Sequence, residues 1–364
     1  MKKLCYILPE YNPETDTHFA YLYDFLKLAA EKLDIFLIVE KSAGRKIPGN
    51  FKKVYYQKFR FGPWRALELV LILKWARFSG YQSFYTHYSY IGAFFAGVVS
   101  FLTGGRSFYW NCASAWNLKR KIRSRFFLWL ALKTSQHLVT GTEGLKKEYA
   151  ARYRLRAESI KVMPNWVDLE RFAGTNFNIV ALRKKFGVPA GAKILLFVHH
   201  LSERKGVDYL LPIMEKLKEN CVLLIAGHGP EAIKLAETVE QSDLESKVKL
   251  LGAVPNREIA ELYALADLFL MPSREEGFPR VLLECMASGL PFVAFDTGGV
   301  REISPSAAQE FILPPGEVGA FAGKVGFLLN NSEIYNRFRE QEKEKVEEFS
   351  KEKVVEIFIN QVLS

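Results

Sequence analysis

Lys193-Ile194-Leu195-Leu196-Phe197-Val198-His199-His200-Leu201-Ser202-Glu203-Arg204-Lys205-Gly206 decides how the chain folds. The aliphatic and β-branched run over 193–199 reads as a buried strand. It gives way to a polar loop that ends on glycine, and 206–218 follows as a helix. The same alternation then repeats. Residues 222–226 form a strand that stops at Gly227-His228-Gly229-Pro230 and opens a further helix. Strands at 248–251, 267–271 and 291–295 alternate with helices at 256–264 and 280–288. Pro279 stands at the start of the last helix, where its missing N–H costs nothing. Short strands alternating with helices make a parallel sheet wound by right-handed crossovers.

The N-terminal half alternates in the same way. Strands are expected at 4–8, 34–40, 83–86, 107–110, 137–141 and 160–164. Helices are expected at 18–32, 91–102, 120–133 and 143–153. The tail, 332–364, reads as helical and charged. A chain of 364 residues is too long for one ordinary core and fits two α/β domains. Their boundary is expected within 172–193, which carries Gly174, Asn176, Asn178 and Pro189. No internal repeat or low-complexity tract interrupts the pattern.

Apolar residues make up 49% of the chain and mean hydropathy is −0.02, a soluble globular composition. The longest apolar stretches, 69–73 and 91–102, fall short of the ~18 residues a spanning helix needs. Residues 1–9 mimic a signal peptide only briefly before Pro9 and Glu10, so a first strand is the better reading. Cys5, Cys112, Cys221 and Cys285 are scattered and form no Cys-x-x-Cys pair. That argues for a reducing cytoplasm and against a disulfide framework or zinc site.

The net charge of +10 is unevenly placed. Residues 1–172 hold 28 Lys and Arg against 13 Asp and Glu, whereas 173–364 hold 22 against 27. The basic half interleaves cations with aromatics in Phe59-Arg60-Phe61-Gly62-Pro63-Trp64-Arg65 and in Lys119-Arg120-Lys121-Ile122-Arg123-Ser124-Arg125-Phe126-Phe127-Leu128-Trp129. Such segments suit the surface of an anionic membrane. The alternative is a buried aromatic face with solvated cations behind it. No recognition motif for nucleic acid accompanies the charge.

Open α/β sheets bind ligands beyond the carboxyl ends of their strands, and three loops there are rich in polar groups. Arg204 and Lys205 precede a glycine and a helix start, which suits phosphate oxygens. Gly227-His228-Gly229-Pro230 is a tight turn of a kind that any such sheet can use. The third loop is Pro272-Ser273-Arg274-Glu275-Glu276-Gly277-Phe278-Pro279-Arg280-Val281-Leu282-Leu283-Glu284. Glu276 lies in the loop, and Glu284 lies inside the helix among Val281, Leu282, Leu283 and Met286. A carboxylate so placed needs a partner or a ligand. Vicinal hydroxyls of a ribose or hexose would serve. So would an arginine for Glu284, with Glu276 in solvent.

With these residues in view, the chain resembles the retaining glycosyltransferases of the GT-B fold, in particular glycosyltransferase family 4. That family carries a Glu-x7-Glu motif, matched here by Glu276-Gly277-Phe278-Pro279 through Glu284-Cys285-Met286-Ala287-Ser288-Gly289-Leu290-Pro291. Met163-Pro164-Asn165-Trp166-Val167-Asp168, 197–206, Leu251-Gly252-Ala253-Val254-Pro255, and Ala266-Asp267 with Pro272-Ser273 match further family segments in order. The resemblance is strong over 160–300 and weak before it. It implies two Rossmann-like domains whose parallel sheets face an interdomain cleft. The acceptor-binding domain would be 1–172 with a C-terminal helix at 346–364, and the donor-binding domain 173–345.

The resemblance also implies roles. Glu276 would hold hydroxyls of the donor sugar, helped by backbone groups of Gly277, Phe278, Pro279, Arg280 and Val281. Glu284 would hold the nucleotide ribose. Arg204 and Lys205 would neutralise the diphosphate, and Gly252, Ala253 and Val254 would contact the base. No Asp-x-Asp pair occurs, so no metal or other cofactor is required. Three departures stand out. His200 replaces a family arginine. Thr15-Asp16-Thr17-His18 stands where a Gly-Gly loop is common. The family's N-terminal histidine falls on Asn111, with His87 a nearby candidate that a core position would explain equally well. The expected activity is retaining, metal-independent transfer of a sugar from a nucleotide sugar. The acceptor would be a lipid-linked or membrane-proximal glycan of envelope or polysaccharide assembly, reached at the inner membrane face without nucleic acid. A donor-binding subunit without turnover, and a nucleotide-sugar epimerase or hydrolase, are the alternatives.

Overall fold

The computed structural model describes residues 1–12, 19–42, 51–59, 62–114, 116, 122–173 and 177–363. Thr15–His18, Arg60, Phe61, Lys119–Lys121, Gly174 and Asn176, all singled out in the sequence, lie outside the described residues. The chain divides into two compact units, Met1–Pro164 with Glu352–Ser364, and Asn165–Lys351.

The first unit holds a parallel sheet of β1 (Lys2–Leu8), β2 (Leu33–Val39), β3 (Lys53–Tyr56), β4 (Ser83–His87), β5 (Arg106–Trp110), β6 (His137–Thr140) and β7 (Ile160–Val162). Its order is β3-β2-β1-β4-β5-β6-β7. β1 and β2 are buried nearly end to end, as strands covered on both faces must be. On one face the helices Gly62–Phe78 and Tyr90–Thr103 pack Leu69, Leu73, Ala96 and Val99 against Cys5, Ile7 and Ile38. On the other, Phe358 of the helix Lys351–Leu363 lies edge-on to Tyr6, Tyr85 and Phe25.

The second unit holds β8 (Lys193–Val198), β9 (Cys221–Ala226), β10 (Val248–Gly252), β11 (Leu268–Met271), β12 (Phe292–Phe295) and β13 (Ile312–Leu313), in the order β10-β9-β8-β11-β12-β13. Both orders reverse once, between the first strand and the fourth. That reversal is the topological switch point of a doubly wound sheet, where the loops beyond neighbouring strands diverge and leave a crevice.

The expected alternation is present, with β3, β13 and the helices Gly62–Phe78 and Val318–Asn330 in addition. The helix expected at 206–218 is a short turn, Val207–Tyr209, followed by Leu210–Lys216. The units change at Pro164/Asn165 and Lys351/Glu352, whereas the sequence suggested 172 and 346. Local contacts explain the difference. Asn165 donates its side-chain amide to the Phe278 carbonyl at 3.2 Å, Val167 pairs with Ser350, and Phe172 packs on Tyr263. Among the described residues no helix is long and apolar enough to cross a membrane. All four cysteines are buried free thiols.

Candidate active site

A cluster of buried charge in the second unit sits at its switch point. Beyond β8 the chain runs through His199 to a 3-10 turn at Glu203–Lys205; beyond β11 it runs through Pro272–Glu276. The two loops are joined through their backbones, because the Arg204 carbonyl accepts N–H bonds from Arg274 (3.0 Å) and Glu275 (3.3 Å). Gly206 makes the join possible. Its φ is +71°, and a Cβ there would lie 1.8 Å from the Pro272 carbonyl oxygen. Gly298, at φ +54°, leaves the same kind of room on the other side, where a Cβ would fall 2.1 Å from the Glu276 carbonyl oxygen. Arg274 locks the outer edge by reaching the Asp208 carboxylate and the Glu203 carbonyl while stacking 4.1 Å above the Tyr209 ring.

Glu276 is the centre of this arrangement. Only 6% of it is exposed, which removes the reading in which it stands in solvent. Lys205 Nζ lies 2.7 Å from Oε2, and His199 Nε2 lies 3.0 Å from Oε1. Burial would raise the pKa of this carboxyl, but Lys205 and His199 outweigh it and hold the group well below the usual carboxylate range. For His199, burial first and then the Lys205 charge push the imidazole below its ordinary value, against the pull of Glu276. Nδ1 of that ring accepts the His200 backbone N–H at 3.1 Å. A neutral ring that accepts at Nδ1 carries its proton on Nε2, so His199 donates to Glu276. The sequence reading quoted His199 and assigned it nothing. Its position at the end of a buried strand, facing a carboxylate from the neighbouring loop, emerges only in three dimensions.

The remaining expected residues fall around this pair. Lys205, expected at a diphosphate, is itself buried against Glu276. Arg204 is the exposed cation of the turn, 3.4 Å from Glu275. His200 is exposed, its ring edge-on to His228, and burial and then His228 lower its pKa. Gly277 accepts the Gly299 N–H, and Phe278 is buried. Pro279 caps the helix Arg280–Ala287. Arg280 stacks over the Trp166 ring at 5.4 Å. Val281 and Glu284 both meet the Tyr263 hydroxyl, which lies 3.2 Å from the Val281 carbonyl and 3.1 Å from Glu284 Oε2. Glu284 is buried. Gly252, at φ +67°, ends β10 and accepts the Gly227 N–H at 2.8 Å, and Ala253 and Val254 follow it toward the surface.

Residues 178–345 match the family model described as glycosyl transferases group 1. That segment of the chain is similar to this glycosyltransferase family. N-acetyl-alpha-D-glucosaminyl L-malate synthase of Bacillus anthracis is 30% identical over 181 residues, which are 49% of this chain and 47% of that protein. The chain thus spans about half the length of the curated relatives it matches. The fold is GT-B. Alr3699/HepE of Anabaena, solved in complex with UDP, superposes with a TM-score of 0.81 at 19% identity, covering 99% of each chain. The lipopolysaccharide outer core galactosyltransferase WaaB, in its apo form, superposes at 0.74 and 17% identity, again over 99% of each.

The first unit places its two expected residues at the carboxyl ends of neighbouring strands. His87 ends β4 and Asn111 follows β5. His87 is buried, with Nδ1 3.1 Å from the Tyr6 hydroxyl and its ring 3.9 Å from that of Trp110. Asn111 is buried too. Its amide donates to the Tyr109 hydroxyl, and its oxygen accepts the Ala113 N–H, both at 3.1 Å. Between His87 and the helix cap Ser89 stands Tyr88 at φ +54°, a conformation bulky side chains avoid and one that clusters at functional sites. Nothing in the local sequence announces it.

Proposed function

We propose that this chain is a retaining glycosyltransferase that moves a sugar from a nucleoside-diphosphate sugar to an acceptor hydroxyl. The observation that carries the reading is the buried, ionised Glu276 held between Lys205 and His199 at the switch point. A carboxylate offers up to four acceptor directions, so this grip is compatible with accepting hydroxyls of the donor sugar. Glu284, one turn into the next helix, would take the ribose hydroxyls beside Tyr263. Arg204 and the amino end of the helix Arg280–Ala287 would face the diphosphate, with Lys205 supplying charge from beneath. The backbone of Gly252, Ala253 and Val254 would meet the base. The anomeric carbon–oxygen bond to the diphosphate breaks as the acceptor oxygen bonds from the same face, and the acceptor proton passes to the departing phosphate. Fixed cations and helix N–H groups stabilise the charge on that phosphate. Asn111 and His87 would line the acceptor side without serving as a required base, and no metal is invoked.

Alr3699/HepE was solved with UDP and with UDP-glucose, which supports UDP as the first ligand to test. Proteins similar to this chain are named for acceptors as different as L-malate and lipopolysaccharide outer core. The acceptor is therefore argued from the first unit, whose excess of positive charge supports a lipid-linked or membrane-proximal glycan reached at an anionic membrane surface. Saturation with UDP at ~100 times its Kd should stabilise the chain by about 2.7 kcal/mol. Glu276→Ala should lower turnover roughly 10- to 100-fold with the fold intact. Near-normal turnover of a folded Glu276→Ala variant would falsify the assignment.

A further inference from the structure

The helix Gly62–Phe78 is apolar on two opposite sides. Leu69, Ile72, Leu73 and Ala76 are buried against the sheet. Trp64, Leu67, Leu71, Trp75 and Phe78 face solvent, Phe78 with 82% of its surface exposed. At 100° per residue these five fall within about 80° of arc, so they form one continuous stripe. The helix Ile122–Thr134 repeats the arrangement, with Leu128, Ala131 and Leu132 inward and Ile122, Phe126 and Trp129 outward. Tyr90–Thr103 packs against both helices and ends in Phe101 and Leu102, both exposed. A helix apolar on all sides is a buried helix, and an apolar patch of this extent marks an interaction surface.

The charge of this layer identifies what it meets. The three helices contain one carboxylate, Glu68, and it is buried, accepting bonds from the Tyr55 hydroxyl and the N–H groups of Lys58 and Phe59. Lys74, Arg123, Arg125 and Lys133 are exposed among the outward aromatics. Between the first turns of the three helices lies a groove of about 560 Å³, walled by Leu69, Ile91, Phe95 and Phe127 and edged by Arg65 and Arg123. Arg65 is held by Glu40 at 2.7 Å; Arg123 lies 5.9 Å from the Phe127 ring. Trp64, Ile122 and Phe126 are not part of its lining, but each is the chain neighbour of a residue that is: Pro63 and Arg65, Arg123, and Phe127.

We propose that this helical layer docks on an anionic bilayer and that the groove seats one phosphate-bearing lipid of that bilayer, its chain against the apolar wall and its phosphate beside Arg123. The inference rests on the glycosyltransferase reading only in making such a lipid an acceptor; the docking itself stands on the first unit alone. Aromatics at the interface and cations beside anionic headgroups are the pairing such surfaces use. A second copy of the chain would bring the same positive charge to the contact.

The test uses the full chain and phosphatidylcholine vesicles with or without phosphatidylglycerol. Cosedimentation should require phosphatidylglycerol and weaken as salt rises. Leu71→Glu/Trp75→Glu should lower vesicle affinity about ten-fold or more, with the thermal shift on UDP unchanged. Ala66→Trp, which fills the groove, should keep vesicle binding and lose binding of monomeric short-chain phosphatidic acid. Inorganic phosphate should compete only weakly with that lipid. Equal binding to both vesicle types, an undiminished double variant, or phosphate binding as tightly as the lipid would each overturn the proposal. So would a solution dimer that the double variant dissolves. Loss of the UDP shift in the unmodified chain would instead count against the donor site and leave the docking result standing.

Discussion

Glu276, Lys205 and His199 place one negative charge, one positive charge and one neutral ring where little water reaches. In such a place, removing one partner costs more than removing both. Lys205→Met should therefore destabilise the chain by about 3–5 kcal/mol, and Lys205→Met/Glu276→Gln should recover most of that. Denaturant unfolding of the three proteins would check it, and a double variant no more stable than the single one would refute it. His199 is held below its ordinary pKa of 6.5, chiefly by burial. The folded chain then binds fewer protons than the unfolded chain, so this contribution is intact above pH 6.5 and is lost as pH falls through the lower folded value. His199→Gln should flatten the stability profile below pH 6.5, and an unchanged slope in thermal melts across that range would exclude the effect. Glu276, Glu284 and Lys205 were legible in the sequence because each sits at a strand end or helix start where ligands bind. Their mutual contacts were not legible. Lys205 and Glu276 are 71 positions apart, and only the adjacency of β8 and β11 brings them together.

The helix Ser332–Val346 buries Glu342 completely, beside the helix Arg280–Ala287. Burial drives the pKa of this carboxyl far upward, against a weaker opposing pull from Arg339. A raised value in the folded state means its contribution is fully present below pH 4.5 and is lost as pH rises. Glu342→Gln should therefore match the parent near pH 4 and exceed it at pH 8 by about 1–3 kcal/mol, as thermal unfolding at the two pH values would reveal. Equal stability at pH 8 would dismiss the idea. The tail was legible as helical and charged, yet a charged residue at its core-facing position runs against the pattern. The elements that escaped the sequence reading did so for physical reasons. β3 and β13 are edge strands of four and two residues, too short to show a period. The helix Gly62–Phe78 is apolar on opposite sides, so its 3.6-residue period cancels. Strands buried on both faces, such as β8 and β9, stood out as unbroken aliphatic runs.

Across the whole chain the first unit is assembled from two separated pieces, with the second inserted between them. Its late piece carries Phe358 onto Tyr6, Tyr85 and Phe25, and Arg106 binds the Val362 carbonyl at 2.8 Å. Ending the chain at Lys351 should lower the unfolding temperature of the first unit by several degrees, about what 2–5 kcal/mol of lost aromatic packing implies. UDP should still protect the second unit from protease, and loss of that protection would show that the units do not fold separately. The order of synthesis follows from the same connectivity. A ribosome completes all of the inserted unit before it delivers the helix that closes the unit begun first. Until then the nascent chain lacks the ring that covers Tyr6 on β1 and Tyr85 on β4.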